Sequence, residues 1–219
     1  MFKKAFLVAL AVSWLWCWTL PLGAQADKPA GAPPADKPDV AATEAQKAPP
    51  EIPKDKQTTL GLYVTAKEAY DLWQKDQQKV KIIDCRTPEE YAFIGHAPMA
   101  ASVPSKFMTY AWDEKKKEYA MKLNPNFLKE VKKRVTKDDT ILVMCRSGQR
   151  SAPSVDLLTK AGFTKVYNIT DGFEGDKVKD PGPNHGKRLK NGWRISNLPW
   201  TYDLDVNLMY LPKGKPKAK

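Results

Sequence analysis

Two short runs of β-branched and apolar residues, each leading directly into a helix-start signature, predict an α/β fold. Its expected form is a three-layer domain whose central, mainly parallel sheet is flanked by helices. The first run is Val80-Lys81-Ile82-Ile83-Asp84, followed by Thr87-Pro88-Glu89-Glu90. The second is Thr140-Ile141-Leu142-Val143-Met144, followed by a polar turn and a helical pattern from Ser151. A third run, Lys165-Val166-Tyr167-Asn168-Ile169, repeats the alternation. Near-continuous apolar runs suit strands buried on both faces, which is where parallel strands are found.

Each element has its own local reason. Thr65-Ala66-Lys67-Glu68 is a capping box that starts a helix running through Leu72 and Trp73. Residues Val80 to Arg86 read as a strand. Thr87 then supplies an N-cap, Pro88 the first helical position and Glu90 the reciprocal carboxylate three residues after the cap. Phe127 to Val135 reads as a helix, and Ser151 to Lys160 as another that ends at Gly162. In such sheets ligands bind at the carboxyl ends of the strands, so the turn after Met144 draws attention.

The 219-residue length fits one domain with appendages. Residues 1–26 read as a secretory leader, with Lys3 and Lys4 ahead of an apolar run from Phe6 to Leu20 and a small-x-small site at Ala24-Gln25-Ala26. That run is shorter than the ~20 residues needed to span a bilayer. Cleavage near Asp27, a periplasmic location and no stable membrane insertion are therefore expected, with a retained anchor as the alternative. Trp16 beside Cys17 is unlike a lipoprotein signal. Residues 27–59 are a Pro/Ala/Lys-rich spacer with too little apolar surface to order itself. The domain is expected over 60–202, with a basic tail over 203–219.

Losing Lys3 and Lys4 with the leader lowers the formal charge from +11 to +9, so anionic substrates or surfaces are favoured. Nucleic acid is not expected, because the lysines are spread over tails and helix faces of an exported chain. Neither His96 nor His185 sits near cysteines or carboxylates at metal-ligand spacing, and no metal or cofactor is expected. Cys85 and Cys145 remain after export, too few for a disulfide scaffold.

The segment Cys145-Arg146-Ser147-Gly148-Gln149-Arg150 lies between a buried strand and a helix start. A short loop there aims backbone N–H groups inward and adds the positive end of the helix, which makes an anion cradle. A cysteine at its lip, flanked by Arg146 and Arg150, is stabilised as the thiolate, and Gly148 permits the tight curl. An isolated Cys at a strand end would instead read as an inert core thiol.

This loop resembles the active-site loop of the rhodanese family. The resemblance extends to Asp84-Cys85-Arg86-Thr87-Pro88-Glu89-Glu90-Tyr91 and to Gly95-His96-Ala97-Pro98-Met99-Ala100, similar to the family's Asp-x-Arg-x-x-x-Glu-(Tyr/Phe) and Gly-His-Ile-Pro-Gly-Ala segments. It implies a sulfurtransferase in which Cys145 is the nucleophile. Arg146, Ser147, Gly148, Gln149 and Arg150 become the expected substrate-binding set, and Asp84 with Arg86 a supporting ion pair. The reaction implied is double displacement: Cys145 takes sulfane sulfur from a small anionic donor such as thiosulfate and passes it to a thiol or to cyanide. The alternative is a sulfur-carrier or docking module for another cell-envelope protein. Related cysteine phosphatases have five residues between Cys and Arg, whereas Cys145 and Arg150 enclose four, a tighter cradle suited to sulfur.

Three departures stand out. Met99 replaces a glycine. The family's closing Gly-Gly-x-x-x-Trp appears as Asp171-Gly172-Phe173, with Trp193 following only after a basic insertion over 175–190. That insertion, with Lys177, Lys179, His185, Lys187, Arg188 and Lys190, is either a solvated loop or a docking surface for an acidic partner. Third, Cys85 stands where a Val, Thr or Ser is usual, and is either an inert core residue or a resolving thiol for Cys145.

Overall fold

The computed structural model describes residues 51–212. The expected leader, most of the spacer and the end of the tail lie outside the described residues.

In chain order the elements are β1 (Tyr63–Val64), α1 (Ala66–Lys75), β2 (Val80–Asp84), α2 (Pro88–Phe93), β3 (Ala101–Ser102), β4 (Lys106–Asp113) and β5 (Glu118–Leu123). They continue as α3 (Phe127–Val131), β6 (Thr140–Met144), α4 (Ser151–Lys160) and β7 (Val166–Ile169). Five strands form one sheet in the order β1-β7-β6-β2-β3, with every pairing parallel. The three-layer α/β class that the alternation of runs and caps predicts is the one observed.

Side-chain alternation divides the core in two. Ile83, Val143 and Val166 face α3 and α4, packing with Phe127, Val131, Val155 and Leu158. Ile82, Leu142, Met144 and Ile169 face the other way, toward Ala66 and Ala69 of α1, Phe173 and Trp193. Both capping boxes form, Thr65 with Glu68 and Thr87 with Glu90.

Three features differ from the sequence reading. The helix begun at Phe127 ends at Val131, not Val135, because i→i+3 turns (Arg134 N–H to Val131 O, 2.8 Å) tighten the chain there. Arg134 then donates to the carbonyl of Asn207 at 2.8 Å. Residues 106–123 form an antiparallel hairpin, β4 with β5, which the sequence reading did not assign. Finally, the packed body reaches beyond 60–202 at both ends. Lys56 is buried, its Nζ 2.8 Å from Asp176, and its carbonyl accepts from Asn168 Nδ2 at 2.9 Å. Leu208 O accepts from Ser102 N–H at 2.8 Å on the β3 edge, and the Tyr210 ring packs 5.4 Å from Phe107. These ends are held by polar and edge contacts across long sequence separations, which composition does not register.

At the end of β2, Asp84 and Arg86 make an ion pair with both side chains fully buried. Arg86 Nη2 donates to Asp84 Oδ2 at 2.6 Å and to the Gly95 carbonyl at 2.8 Å, and the guanidinium lies 4.0 Å over the Phe173 ring. The pair thereby ties the end of β2 to the Gly95-His96 turn and to Phe173. Removing one partner strands a buried charge. Asp84→Ala should therefore lower the unfolding free energy by about 3–5 kcal/mol in a urea titration. A loss below about 1 kcal/mol would show that Arg86 finds another partner or water.

Candidate active site

The turn between β6 and α4 forms the floor of the site. Cys145 follows β6 directly and is buried. Gly148 N–H donates to Cys145 Sγ at 3.2 Å, and Ser151 Oγ lies 3.4 Å from the same sulfur. Gly148 has φ +87°, and a Cβ there would fall 2.3 Å from Thr170 O. The curl thus needs a residue without a side chain for backbone angle and for space.

A second turn clamps the loop. Phe173 N–H donates to Cys145 O at 2.8 Å, and Glu174 N–H to Arg146 O at 2.9 Å. A Cβ on Gly172 (φ +63°) would meet Cys145 O at 2.5 Å. From β7, Asn168 Nδ2 donates to Gly148 O at 3.0 Å while its Oδ1 lies 2.6 Å from Ser151 Oγ. Each polar group under the cradle is thus tied to the backbone that shapes it.

The thiol of Cys145 is held well below the ordinary range. Burial opposes ionisation, but the neighbouring Cys85 thiol, the charge of Arg150, the Ser151 hydroxyl and the Ser147 N–H together outweigh it. Cys85, also buried, is pushed up, first by burial and then by its place beside Cys145. Both cysteines are free.

The sequence-predicted residues separate into distinct places. Arg146, Ser147, Gln149 and Arg150 line one pocket of about 360 Å³ with Cys145. Arg150 does not present a free fork to it, because its Nη1 and Nη2 pair with Glu90 at 2.7 and 2.6 Å. Burial pushes the Glu90 carboxyl up, but pairing with Arg150 more than reverses this and leaves it ionised. The Gln149 side chain donates to Asp55. Arg146 lines the pocket with no ion-pair partner among the described residues, and its buried Nε has no hydrogen-bond partner. Asp84 and Arg86 lie outside the pocket, and Cys85 lies in the same buried cluster as Cys145 but not on the pocket wall.

Several contributors escaped the sequence reading. The hairpin supplies Lys106, Asp113, Lys116, Glu118 and Met121 to the pocket wall. Alternating aromatics flanking Asp113-Glu114-Lys115-Lys116-Lys117 were its sequence signal. Glu90 was legible as a cap and as part of the Asp-x-Arg-x-x-x-Glu segment but not as the partner of Arg150, and Asn168 only as a polar residue inside an apolar strand. The 175–190 insertion leaves and rejoins at one neck, where Asp176 N–H donates to Asn191 Oδ1 at 2.7 Å and Trp193 N–H to Gly172 O at 2.9 Å. Its Lys177, Lys179, Lys187 and Lys190 are exposed, but Arg188 turns inward and donates to Gly175 O at 2.5 Å. Burial, then the like charge of Arg146, pushes Arg188 down, as expected of two cations on one side of the site. Among the described residues no group of three His, Cys, Asp or Glu side chains gathers as a metal site.

Comparison with known proteins agrees with this geometry. The chain is similar to an uncharacterised protein of Rickettsia rickettsii, 29% identical over 139 residues, 64% of this chain and 96% of the relative. It is also similar to thiosulfate sulfurtransferase 16 of the Arabidopsis thaliana chloroplast, 38% identical over 93 residues, 42% of this chain and 70% of the relative. A crystal structure of an M. tuberculosis protein superposes with a TM-score of 0.50 at 27% identity, covering 64% of this chain and 96% of that one. The family model described as "Rhodanese-like domain" matches residues 65–179, more than half of the sequence, and the chain belongs to that family.

Proposed function

We propose that the protein is a sulfurtransferase that carries sulfane sulfur as a persulfide on Cys145, with thiosulfate or a similar small anion as donor. The observation that carries this reading is the Cys145 sulfur itself, buried on the wall of a polar pocket with Gly148 N–H 3.2 Å away, an arrangement that lowers its pKa. Likeness to a thiosulfate sulfurtransferase of Arabidopsis supports the choice of donor.

In the first step the thiolate attacks the outer sulfur of thiosulfate. The sulfur–sulfur bond of the donor breaks, sulfite leaves with its electron pair, and a persulfide anion remains on Cys145. No general base is needed, because the nucleophile carries no proton. The cradle amides face the charge both before and after transfer, which is preorganised stabilisation. Arg146, with Lys106 and Lys116 of the hairpin on the same pocket, meets the donor's oxygens. Arg150, neutralised by Glu90, acts mainly on the sulfur's ionisation. In the second step a thiol or cyanide removes the outer sulfur and regenerates the thiolate. The leader-like N-terminus supports a periplasmic setting for this exchange.

A second reading, a sulfur carrier that docks on another envelope protein, draws on the exposed Tyr110, Trp112 and Tyr119 of the hairpin beside the pocket. A carrier would load one sulfur per chain and turn over cyanide slowly. The exposed insertion lysines would then serve an acidic partner.

Cys145→Ser should reduce thiosulfate-to-cyanide transfer by at least ~10³-fold. Turnover surviving in that variant would refute a Cys145 nucleophile. The depressed pKa fixes the sign of the pH dependence: the thiolate is present above that pKa and lost as pH falls through it. Alkylation of Cys145 by iodoacetamide should be on its plateau at neutral pH and fall on acidification. A rate still climbing near pH ~8.5, as for a free thiol, would contradict the cradle's electrostatics.

A further inference from the structure

The proposed reaction leaves Cys85 unused. β2 and β6 pair in parallel register up to Asp84↔Met144, so the next residues along both chains are Cys85 and Cys145. The ladder continues to that point, since Cys85 N–H donates to Met144 O at 2.7 Å. Paired strands lie ~4.8 Å apart, inside the ~4.4–6.8 Å between Cα atoms that a disulfide spans.

Alternation puts both side chains on the same face. Ile83, Cys85, Val143 and Cys145 belong to one buried cluster, whereas Ile82, Leu142 and Met144 belong to the other. Cys85 is only 1% exposed, and its carbonyl is held by Ser105 N–H and Ser105 Oγ, both at 3.1 Å. It is absent from the pocket wall that Cys145 shares. A small donor in the pocket meets Cys145, and Cys85 lies behind it.

We infer that Cys85 is the resolving thiol of Cys145, displacing the outer sulfur of the Cys145 persulfide as hydrosulfide and leaving a Cys85–Cys145 disulfide. The inference rests on the sulfurtransferase reading. Cys85 Sγ attacks the inner sulfur, the bond from inner to outer sulfur breaks, and the outer sulfur departs with the electron pair and the proton of Cys85. The two cysteine sulfurs are oxidised and the sulfane sulfur is reduced to sulfide. A dithiol reductant then restores both thiols. Over a full cycle thiosulfate and the dithiol yield sulfite, hydrosulfide, the oxidised dithiol and one proton.

The order of events follows from charge. The loop favours the thiolate at Cys145, whereas burial beside it pushes the Cys85 thiol up, toward the protonated form. Sulfur uptake moves that charge outward to the second sulfur, within reach of the cradle amides. The inner sulfur becomes the electrophile, and the neighbouring charge that kept Cys85 protonated moves away.

The test uses full-length chain, reduced, freed of reductant and kept anaerobic, then mixed with thiosulfate. Intact mass, released sulfide and an unreduced, alkylated peptide map are followed in time, with Cys85→Ser and Cys85→Ala in parallel. Wild type should gain one sulfur, then lose it and end two hydrogens lighter than the dithiol form. One sulfide per chain and a Cys85–Cys145 cross-linked peptide should accompany the change. Both variants should retain the added sulfur at least ~10-fold longer and release no sulfide. If wild type keeps its persulfide as long as the variants, Cys85 is inert and sulfur transfer stands without it. A cross-link that forms as fast without thiosulfate would also overturn the route. If no chain gains sulfur, the sulfurtransferase reading fails and this inference with it.

Discussion

The parallel register of β2 against β6, ending on the pair Asp84↔Met144, is the constraint on which the rest of the site depends. Strand side chains alternate between faces, so this one alignment sends Asp84 and Met144 toward one core and Cys85 and Cys145 toward the other. A slip of a single residue would exchange the two sets. The buried ion pair, the nucleophile and its neighbouring thiol are fixed together by one ladder of backbone hydrogen bonds.

Burial at this point has opposite consequences for two chemically similar groups. Cys145 and Cys85 are each 1% exposed, yet the pKa of one is lowered and that of the other raised. Cys145 sits at the start of the cradle and receives an N–H from Gly148 and the field of Arg150, while Cys85 precedes a chain segment that offers it no such donors. Desolvation is common to both, and directional donors decide between them. Glu90 completes the arrangement: it pairs with both terminal nitrogens of Arg150 and holds the guanidinium in place, while Arg146 lines the pocket with no carboxylate partner among the described residues.

The appended segments give the pocket its particular form. The hairpin rises from Ser105 and Asn124, whose backbones join at 2.9 Å, and its strands form one wall above the cradle. The insertion is pinched at Gly175 and Asn191 and folds back so that Arg188 faces inward while its lysines face solvent. A common cradle thereby acquires a mixed basic and acidic rim, with aromatic surface just outside it.

Periodicity and caps determined the fold class, because apolar runs and reciprocal Thr–Glu capping are local properties of contiguous residues. The same holds for the Cys145 to Arg150 loop, whose composition and place between strand and helix mark an anion cradle. The partners of Arg150, Gln149 and Cys85 were decided only by tertiary structure. Arg150 turns to Glu90, Gln149 to Asp55, and Cys85 to Cys145, partners that sixty or more residues separate and that only chain packing brings within reach. The hairpin, Asn168 and the inward turn of Arg188 belong with them. Local sequence records what a segment prefers, but strand order and register determine which distant side chains share a dry, crowded volume, and that volume sets ionisation and access.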